Sequence, residues 1–332
     1  MTLLSVQNLS VEFPTRRGNL LALDGVGFDI AAGEILGVVG ESGAGKSLTG
    51  TAIIGLLEPP GRVCGGQILL NNMRIDTLRG DAMRPIRGKQ IGAIFQDPLT
   101  TLNPLYTIGR QLKETIQTHL GLSDRDARAR AIKWLEEVGI PAAAQRIDSY
   151  PHEFSGGMRQ RVVIALALCA EPKLVIADEP TTALDVSIQA QIIALLRALT
   201  RDHGTAVMLV THDMGVIAET ADRVAVMYAG RVVEIGPVRD VIQNPSHPYT
   251  AGLMASIPAL DRRVERLAQI DGAMPRLSAI PRGCTVNPRC PEVFARCREK
   301  RPELMPAGAN RAACWLYDPA SARRAPEVAA DA

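Results

Sequence analysis

Eight consecutive residues, Gly40-Glu41-Ser42-Gly43-Ala44-Gly45-Lys46-Ser47, have the types and the spacing that bind a nucleoside triphosphate. Glycines let the backbone curl so that successive N–H groups point at phosphate oxygens, and a helix that starts there adds partial positive charge. Lys46 would reach the β- and γ-phosphates, and the Ser47 hydroxyl would ligate Mg²⁺. The apolar run Ile35–Val39 before this loop predicts a buried strand, and residues 48–57 after it predict a helix, as the motif requires.

Four polar side chains that follow other apolar runs would complete a hydrolytic site. Asp178 would hold Mg²⁺ through its water shell, and Glu179 would orient the attacking water or accept a proton from it. Gln96 could contact Mg²⁺ or the same water, and His212 could hydrogen-bond the γ-phosphate. Since each follows a predicted buried strand, we expect all four to lie at the sheet edge that carries the phosphate loop.

Two further features have both a functional and a structural interpretation. Ser155, Gly156, Gly157 and Met158 precede a predicted helix over residues 159–170, so they could bind an anion or could simply cap that helix. Phe13 could stack on a nucleotide base or could be a core residue of its strand. The residues themselves leave these alternatives open.

The hydrophobic pattern predicts an α/β fold. Residues 4–13 and 20–30 form an expected antiparallel hairpin, and residues 108–150 have helical spacing without a strand-like run. A turn over residues 181–185 leads into a predicted helix from Val186 to Leu199. A last hairpin is expected over residues 223–235.

The composition is that of an ordinary globular protein. The 332 residues are 46% hydrophobic and 22% charged, and the net charge of +2 gives no sign of nucleic-acid binding. Apolar runs are too short for a membrane span, and the N-terminus lacks the layout of a signal peptide. We therefore expect a cytoplasmic protein that depends on other subunits for any membrane span.

The six cysteines fall into two groups. Cys64 and Cys169 are predicted to be buried, since isolated cysteines are usually small core residues. The other four are closely spaced near the C-terminus, as in thiolate metal sites: Cys284, Cys290, Cys297 and Cys314. Their spacing fits a [4Fe–4S] cluster or tetrahedral Zn²⁺ without deciding between them, and free buried thiols are the third possibility.

The order of these motifs resembles the ATP-binding subunit of ABC transporters over residues 3–236. The resemblance implies an ABC ATPase (P-loop NTPase) core with an N-terminal antiparallel β subdomain and an inserted helical subdomain. It implies that Phe13 and residues 40–48 (Gly40 to Leu48) bind ATP, and that Ser47, Gln96 and Asp178 hold Mg²⁺. Glu179, His212, Gln96 and Lys46 would be catalytic.

The same resemblance implies a head-to-tail dimer of two ATPase subunits. Ser155, Gly156, Gly157 and Met158 would be the signature that acts on the partner's ATP, and Asp185 would lie in the D-loop. The signature reads Phe-Ser-Gly-Gly-Met here, where the family commonly has Leu-Ser-Gly-Gly-Gln. The serine and glycines that face phosphate are kept.

Further stretches resemble the dipeptide/oligopeptide importer branch of that family, up to about residue 317. They are residues 96–104, residues 178–186 and the pair Asn244-Pro245 with His247-Pro248-Tyr249-Thr250. The branch implies two permease subunits, a second ATPase and a substrate-binding protein at a bacterial inner membrane, with this chain on its cytoplasmic face. It also places an iron–sulfur cluster in the C-terminal region.

The sequence does not decide which cargo is imported, because nickel and glutathione importers share this branch. It also leaves the class of protein open. A soluble ABC-type ATPase or a redox-sensing regulator is the alternative from another class. We expect an ATPase domain over residues 1–236 with a helical subdomain over about 97–158. A Cys-rich extension would follow over 237–317, and residues 318–332 would be a disordered tail.

Overall fold

The structure is a computed structural model that describes residues 1–16, 18–182, 184–256 and 269–319. Three parts of the sequence-based predictions therefore lie outside the described residues: Ala183 of the predicted turn, residues 257–268 of the extension and residues 320–332 of the predicted tail.

The described strands are β1 (Thr2–Thr15), β2 (Gly18–Ala31), β3 (Ile35–Val39), β4 (Arg62–Leu70), β5 (Met73–Arg74), β6 (Ile91–Ile94), β7 (Leu174–Asp178), β8 (Ala206–Val210), β9 (Arg223–Tyr228), β10 (Arg231–Pro237), β11 (Met305–Ala307) and β12 (Asn310–Ala312). The described helices are α1 (Lys46–Ile53), α2 (Pro98–Thr101), α3 (Ile108–Leu120), α4 (Asp124–Glu137), α5 (Ala143–Arg146), α6 (Gly156–Leu168), α7 (Val186–His203), α8 (Met214–Thr220), α9 (Val238–Gln243), α10 (Pro248–Ala255) and α11 (Ala295–Glu299). Short 3₁₀ turns cover Gly80–Met83, Pro151–Glu153, Leu277–Ala279 and Trp315–Tyr317.

Two sheets form the frame of the molecule. The N-terminal sheet is antiparallel in the order β2-β1-β4-β5, as the hairpin pattern predicts. The core sheet has the order β11-β12-β10-β9-β3-β8-β7-β6. Within it, β9, β3, β8, β7 and β6 are mutually parallel. The predicted α/β fold is thus confirmed.

The parallel strands are buried because helices and the N-terminal sheet cover their faces. Every residue of β3 and β8 is buried, which fits their uninterrupted apolar sequences. Parallel pairing also brings the carboxyl ends of β3, β6, β7 and β8 to one edge of the sheet. The polar residues that follow these strands must therefore meet at that edge.

Helices α2 to α6 fill the sequence between β6 and β7, where helical spacing is predicted. Helices α3 and α4 begin at side-chain caps: Thr107 accepts a hydrogen bond from the Arg110 amide, and Ser123 accepts one from the Asp126 amide. Their apolar faces pack together with α6 in one core cluster, in which Trp134 and Phe154 are buried. None of the described helices has the length and apolarity that a membrane crossing needs.

The local predictions that differ from the structure include the bounds of three helices and the burial of Cys64: α6 begins at Gly156 and ends at Leu168, and α7 continues to His203. The helix after the phosphate loop ends at Ile53, because Gly55 has the left-handed φ of 67° that terminates helices. Cys64 is exposed and not buried, since it lies on the outward face of β4, where exposure alternates along the strand. Cys169, in contrast, is fully buried as predicted.

The C-terminal extension joins the core sheet directly, because β12 pairs with β10 and β11 pairs with β12. The Glu234 carboxylate of β10 is fully buried and accepts three hydrogen bonds from the extension. The donors are the Ser246 amide at 2.7 Å, the His247 amide at 2.9 Å and Asn310 Nδ2 at 2.9 Å. Glu234 therefore fastens the extension to the sheet.

We predict that Glu234→Ala destabilises the protein by about 2–4 kcal/mol, because it leaves three buried donors without an acceptor. Glu234→Gln keeps one accepting oxygen and should lose less. Asp148→Ala is the control, since its ion pair with Arg128 is exposed and is worth less than about 1 kcal/mol. Urea unfolding measures the three values, and an equal loss in Glu234→Ala and Asp148→Ala would contradict the anchoring role.

Candidate functional site

The loop from Gly40 to Ser47 connects β3 to α1, as predicted. Gly40 has a φ of 149°, and a Cβ there would clash with the carbonyl oxygen of Met227. Gly45 has a φ of 101° and precedes the first residue of α1. Both positions require glycine, because other side chains would be strained or would clash. The tight turn that places backbone N–H groups at the start of α1 follows from these two residues.

Lys46 lies inside this loop with only 6% of its surface exposed. Its ammonium donates to the carbonyl oxygens of Gly40 at 2.8 Å and Glu41 at 3.1 Å. Burial lowers the pKa of Lys46, while the nearby carboxylates of Glu179 and Asp178 act in the opposite direction. A positive charge is thus held where phosphate oxygens would enter the loop.

A hydrogen bond joins the phosphate loop to the acidic strand β7. The Ser47 hydroxyl donates to Asp178 Oδ1 at 2.8 Å. Burial raises the pKa of Asp178; the Ser47 hydrogen bond acts against this, and the Glu179 charge adds to it. A hydroxyl and a carboxylate at this distance offer oxygen atoms of the type that Mg²⁺ binds.

The Glu179 carboxylate is the centre of a second group of polar side chains. Gln96 Nε2 donates to Glu179 Oε2 at 3.1 Å, and His212 Nδ1 lies 3.4 Å from Glu179 Oε1. The structure therefore brings together the four residues that sequence analysis placed at this sheet edge. Thr182 also belongs to the group, because its hydroxyl donates to Glu179 Oε2 at 2.9 Å.

Sequence reasoning overlooked Thr182, although a hydroxyl three residues after a predicted catalytic acid is a usable signal. It also overlooked Tyr249 and Arg289, which contact Glu41 of the phosphate loop. Both follow the loop by more than two hundred residues, and nothing local in the sequence indicates that either contacts it.

Ser155 caps helix α6, as its structural interpretation predicts. Its hydroxyl accepts a hydrogen bond from the Met158 amide at 3.4 Å, and Ser155 and Gly156 are both exposed. A Cβ on Gly157 would lie 2.9 Å from Ile188 Cγ2, so the start of α6 packs against the start of α7. The exposed Asp185 precedes α7 directly. Serine, glycines and aspartate thus share one exposed corner.

Phe13 is half-buried and packs at the margin of the N-terminal core. One of its ring carbons, Cε1, lies 2.7 Å from the position that a Cβ on Gly61 would take. This packing fits the interpretation of Phe13 as a strand residue. Stacking on a nucleotide base stays a prediction.

The predicted metal site is not supported by the structure. Among the described residues, no three or more His, Cys, Asp or Glu side chains are arranged to hold a metal ion. Burial raises the pKa of the Cys284 and Cys314 thiols to about 11, and neighbouring thiols of the group add to this. These pKa values belong to the thiols without a metal ion, which would displace their protons on binding.

Comparison with known proteins gives two family matches in this chain. The ABC transporter family matches residues 23–182, and the C-terminal region of oligopeptide/dipeptide transporters matches residues 233–297. The dipeptide transport ATP-binding protein DppD of Bacillus subtilis is 49% identical over 317 residues, which are 95% of each protein. The oligopeptide transport ATP-binding protein OppD of Salmonella typhimurium is 47% identical over 300 residues, covering 90% of this chain and 89% of that protein.

Solved structures agree with this result. The dimeric ATP-binding cassette MJ0796 bound to ADP and Pi has a TM-score of 0.64 and 29% identity, and the match covers 71% of this chain and 99% of that one. The cassette cbiO1 from Clostridium perfringens has a TM-score of 0.63 and 30% identity, covering 73% and 91%. The chain belongs to the ATP-binding proteins of ABC transporters, in the branch that carries the oligopeptide/dipeptide C-terminal region. It is an ABC-type ATPase, as the order of its motifs predicts.

Proposed function

We propose that this protein is the ATP-hydrolysing subunit of a bacterial importer for dipeptides or oligopeptides. The geometry that supports hydrolysis is the convergence of Gln96, Glu179 and His212 beside the Ser47–Asp178 hydrogen bond. The names of the relatives, which describe dipeptide and oligopeptide transport, support the cargo.

Each residue of the site has a proposed role. Backbone N–H groups of the loop and the Lys46 ammonium bind the β- and γ-phosphates. The oxygens of Ser47, Gln96 and Asp178 would hold Mg²⁺, which would supply positive charge to neutralise the phosphates. Glu179 orients the attacking water and accepts its proton, and His212 contacts the γ-phosphate.

Glu179 is well placed for that role. Hydrogen bonds from Gln96 and Thr182 both reach its Oε2, which fixes the carboxylate orientation. Its other oxygen, Oε1, is then left toward His212, which is proposed to contact the γ-phosphate. A carboxylate held in this way needs little reorganisation when water is activated.

The exposed corner formed by Ser155, Gly156, Gly157 and Asp185 is proposed to complete the ATP site of a second ATPase subunit. Serine, glycine N–H groups and the start of α6 can bind phosphate oxygens of a nucleotide on another chain. The related cassette MJ0796 is a dimer in its solved structure, which supports this assembly.

Two permease subunits and a substrate-binding protein are the other proposed partners, with this chain on the cytoplasmic face of the membrane. Nickel and glutathione are the alternative cargoes, because their importers share the branch. The proposed domain division is an ATPase domain over residues 1–236 with a helical subdomain over about 97–158, followed by an extension over 237–317.

Metal binding by Cys284, Cys290, Cys297 and Cys314 is kept as a separate hypothesis. Its support is the spacing of the cysteines and the electrostatic effect of the other three thiols on the pKa of Cys314, which requires them to be neighbours. A [4Fe–4S] cluster or Zn²⁺ would require deprotonated thiols in a changed arrangement. No step of ATP hydrolysis depends on this hypothesis.

We predict that Glu179→Gln lowers the ATP hydrolysis rate by about 100-fold or more while ATP binding persists, because the amide cannot accept the proton of water. Glu171→Gln is the matched control, since that glutamate pairs with Arg130 and is not part of the site. Hydrolysis by the assembled complex and retention of labelled ATP measure the two effects. An unchanged hydrolysis rate in Glu179→Gln would contradict the assignment of the catalytic acid.

We predict that affinity purification from membranes of the source cell recovers two permeases and a second ATPase with this chain. ATP hydrolysis by that complex, supplied with its binding protein, should rise with added dipeptide or oligopeptide. Stimulation of ATP hydrolysis by Ni²⁺ or glutathione alone would identify that compound as the cargo instead. Recovery of the chain without membrane subunits would favour the soluble ATPase or the regulator.

The cluster hypothesis predicts that anaerobically purified protein contains about four iron atoms per chain and absorbs broadly near 400 nm. Cys297→Ser should then lose iron, whereas Cys64→Ser should not, because Cys64 lies alone on β4. Stoichiometric zinc would refute the cluster, and a chain free of both metals would establish the cysteines as thiols.

A further inference from the structure

The C-terminal extension contacts the phosphate loop through an ion pair between Arg289 and Glu41. Arg289 Nη1 lies 3.0 Å from each of the two Glu41 carboxylate oxygens. Only 6% of the Arg289 side chain is exposed, so the pair is poorly screened by solvent. Glu41 is the second residue of the loop, and the two partners are 248 positions apart.

A second contact joins the extension to the backbone of the same loop residue. The Glu41 amide donates a hydrogen bond to the Tyr249 hydroxyl at 3.2 Å. Its carbonyl accepts from the Lys46 ammonium at 3.1 Å. Side chain, N–H and C=O of Glu41 are therefore all engaged, and two of the partners, Arg289 and Tyr249, belong to the extension. Met274 adds a packing contact, since its Cε lies 3.0 Å from the position of a Cβ on Gly43.

Arg289 is itself held in place by the extension. Its Nε donates to the Asp271 carbonyl at 2.8 Å, and its Nη2 donates to the Ile270 carbonyl at 3.2 Å. The Tyr228 hydroxyl lies 3.5 Å from Nη1, and the Tyr228 ring packs edge-on against that of Tyr249 at 4.7 Å. Contacts other than Glu41 therefore hold the guanidinium in place: two backbone carbonyls on one side and the Tyr228 hydroxyl on the other.

We propose that Arg289 and Tyr249 are positioning residues for the phosphate loop, an assignment that rests on the proposed role of residues 40–47 in ATP binding. They hold the first turn of the loop in one conformation. The N–H groups after Gly43 are then already oriented for the phosphates when ATP binds. Preorganisation of this kind raises affinity, because less conformational entropy is lost on binding. The extension therefore sets the ATP affinity of the cassette through the conformation of the phosphate loop.

Arg289→Gln tests the proposal, with Arg301→Gln as the matched control. Arg301 also joins the extension to the rest of the chain, through Asp24, but Asp24 is not in the phosphate loop. In the assembled complex we expect Arg289→Gln to raise the Kd and KM for ATP by about fivefold or more. The kcat should change by less than about twofold, since Glu179 and its partners are untouched. Arg301→Gln should leave the Kd and KM unchanged.

Three single variants and one double variant separate positioning from simple loss of stability. Tyr249→Phe keeps the ring and removes the acceptor for the Glu41 amide, so it should raise the Kd in the same direction. Arg289→Lys restores the charge and should recover part of the affinity. Glu41→Gln should raise the Kd, and the double variant Arg289→Gln/Glu41→Gln should bind no worse than the weaker single variant, because both changes break one interaction.

The outcomes distinguish this proposal from the proposed function. Lys46→Ala should abolish ATP binding, and normal binding in that variant would remove the loop assignment itself. Loss of binding in Lys46→Ala together with wild-type Kd and KM values in Arg289→Gln and Tyr249→Phe would overturn only the positioning role. Equal effects of Arg289→Gln and Arg301→Gln would also overturn it, since a general loosening of the extension would then explain both.

Discussion

Parallel pairing of β3, β8, β7 and β6 is the constraint on which the site depends. It forces the four carboxyl ends to one edge, where the residues that follow each strand become neighbours despite their separation in the chain. Hydrogen bonds then fix the positions of the polar side chains at that edge. The Ser47 hydroxyl joins the loop after β3 to the acid that ends β7, and Glu179 gathers the residues after β6 and β8.

The extension has two points of attachment that differ in kind. At β10 a buried carboxylate, Glu234, accepts three neutral donors, and a strand pairing lies beside it. At the phosphate loop the contact is an ion pair and a hydrogen bond to a single residue, Glu41. The first attachment fixes where the extension sits, and the second connects it to the part of the chain that holds phosphate.

The sequence alone predicts much of this structure, because its signals are local. Strand β3 is an unbroken apolar run, the loop that ends at Ser47 has a fixed glycine spacing, and Gln96, Glu179 and His212 each follow an apolar run. What the sequence could not predict depends on distant contacts. Arg289 is one of six basic residues within residues 282–301, and only the tertiary structure shows which of them contacts Glu41. The prediction for Cys64 is wrong because alternation along a half-exposed strand outweighs the general tendency of cysteine to be buried.

The pairing of β12 with β10 also bears on solubility. Without the antiparallel pair β11 and β12, β10 would be the edge strand of the core sheet. Its mostly apolar residues would then lie beside a row of unpaired N–H and C=O groups. Such an edge is a template for pairing with other chains and hence for aggregation. In the intact protein the outermost strand is β11, which is three residues long and contains Pro306, and short strands with proline are poor templates. Truncation after β10 would therefore leave β10 as an unpaired apolar edge strand, and such an edge promotes aggregation.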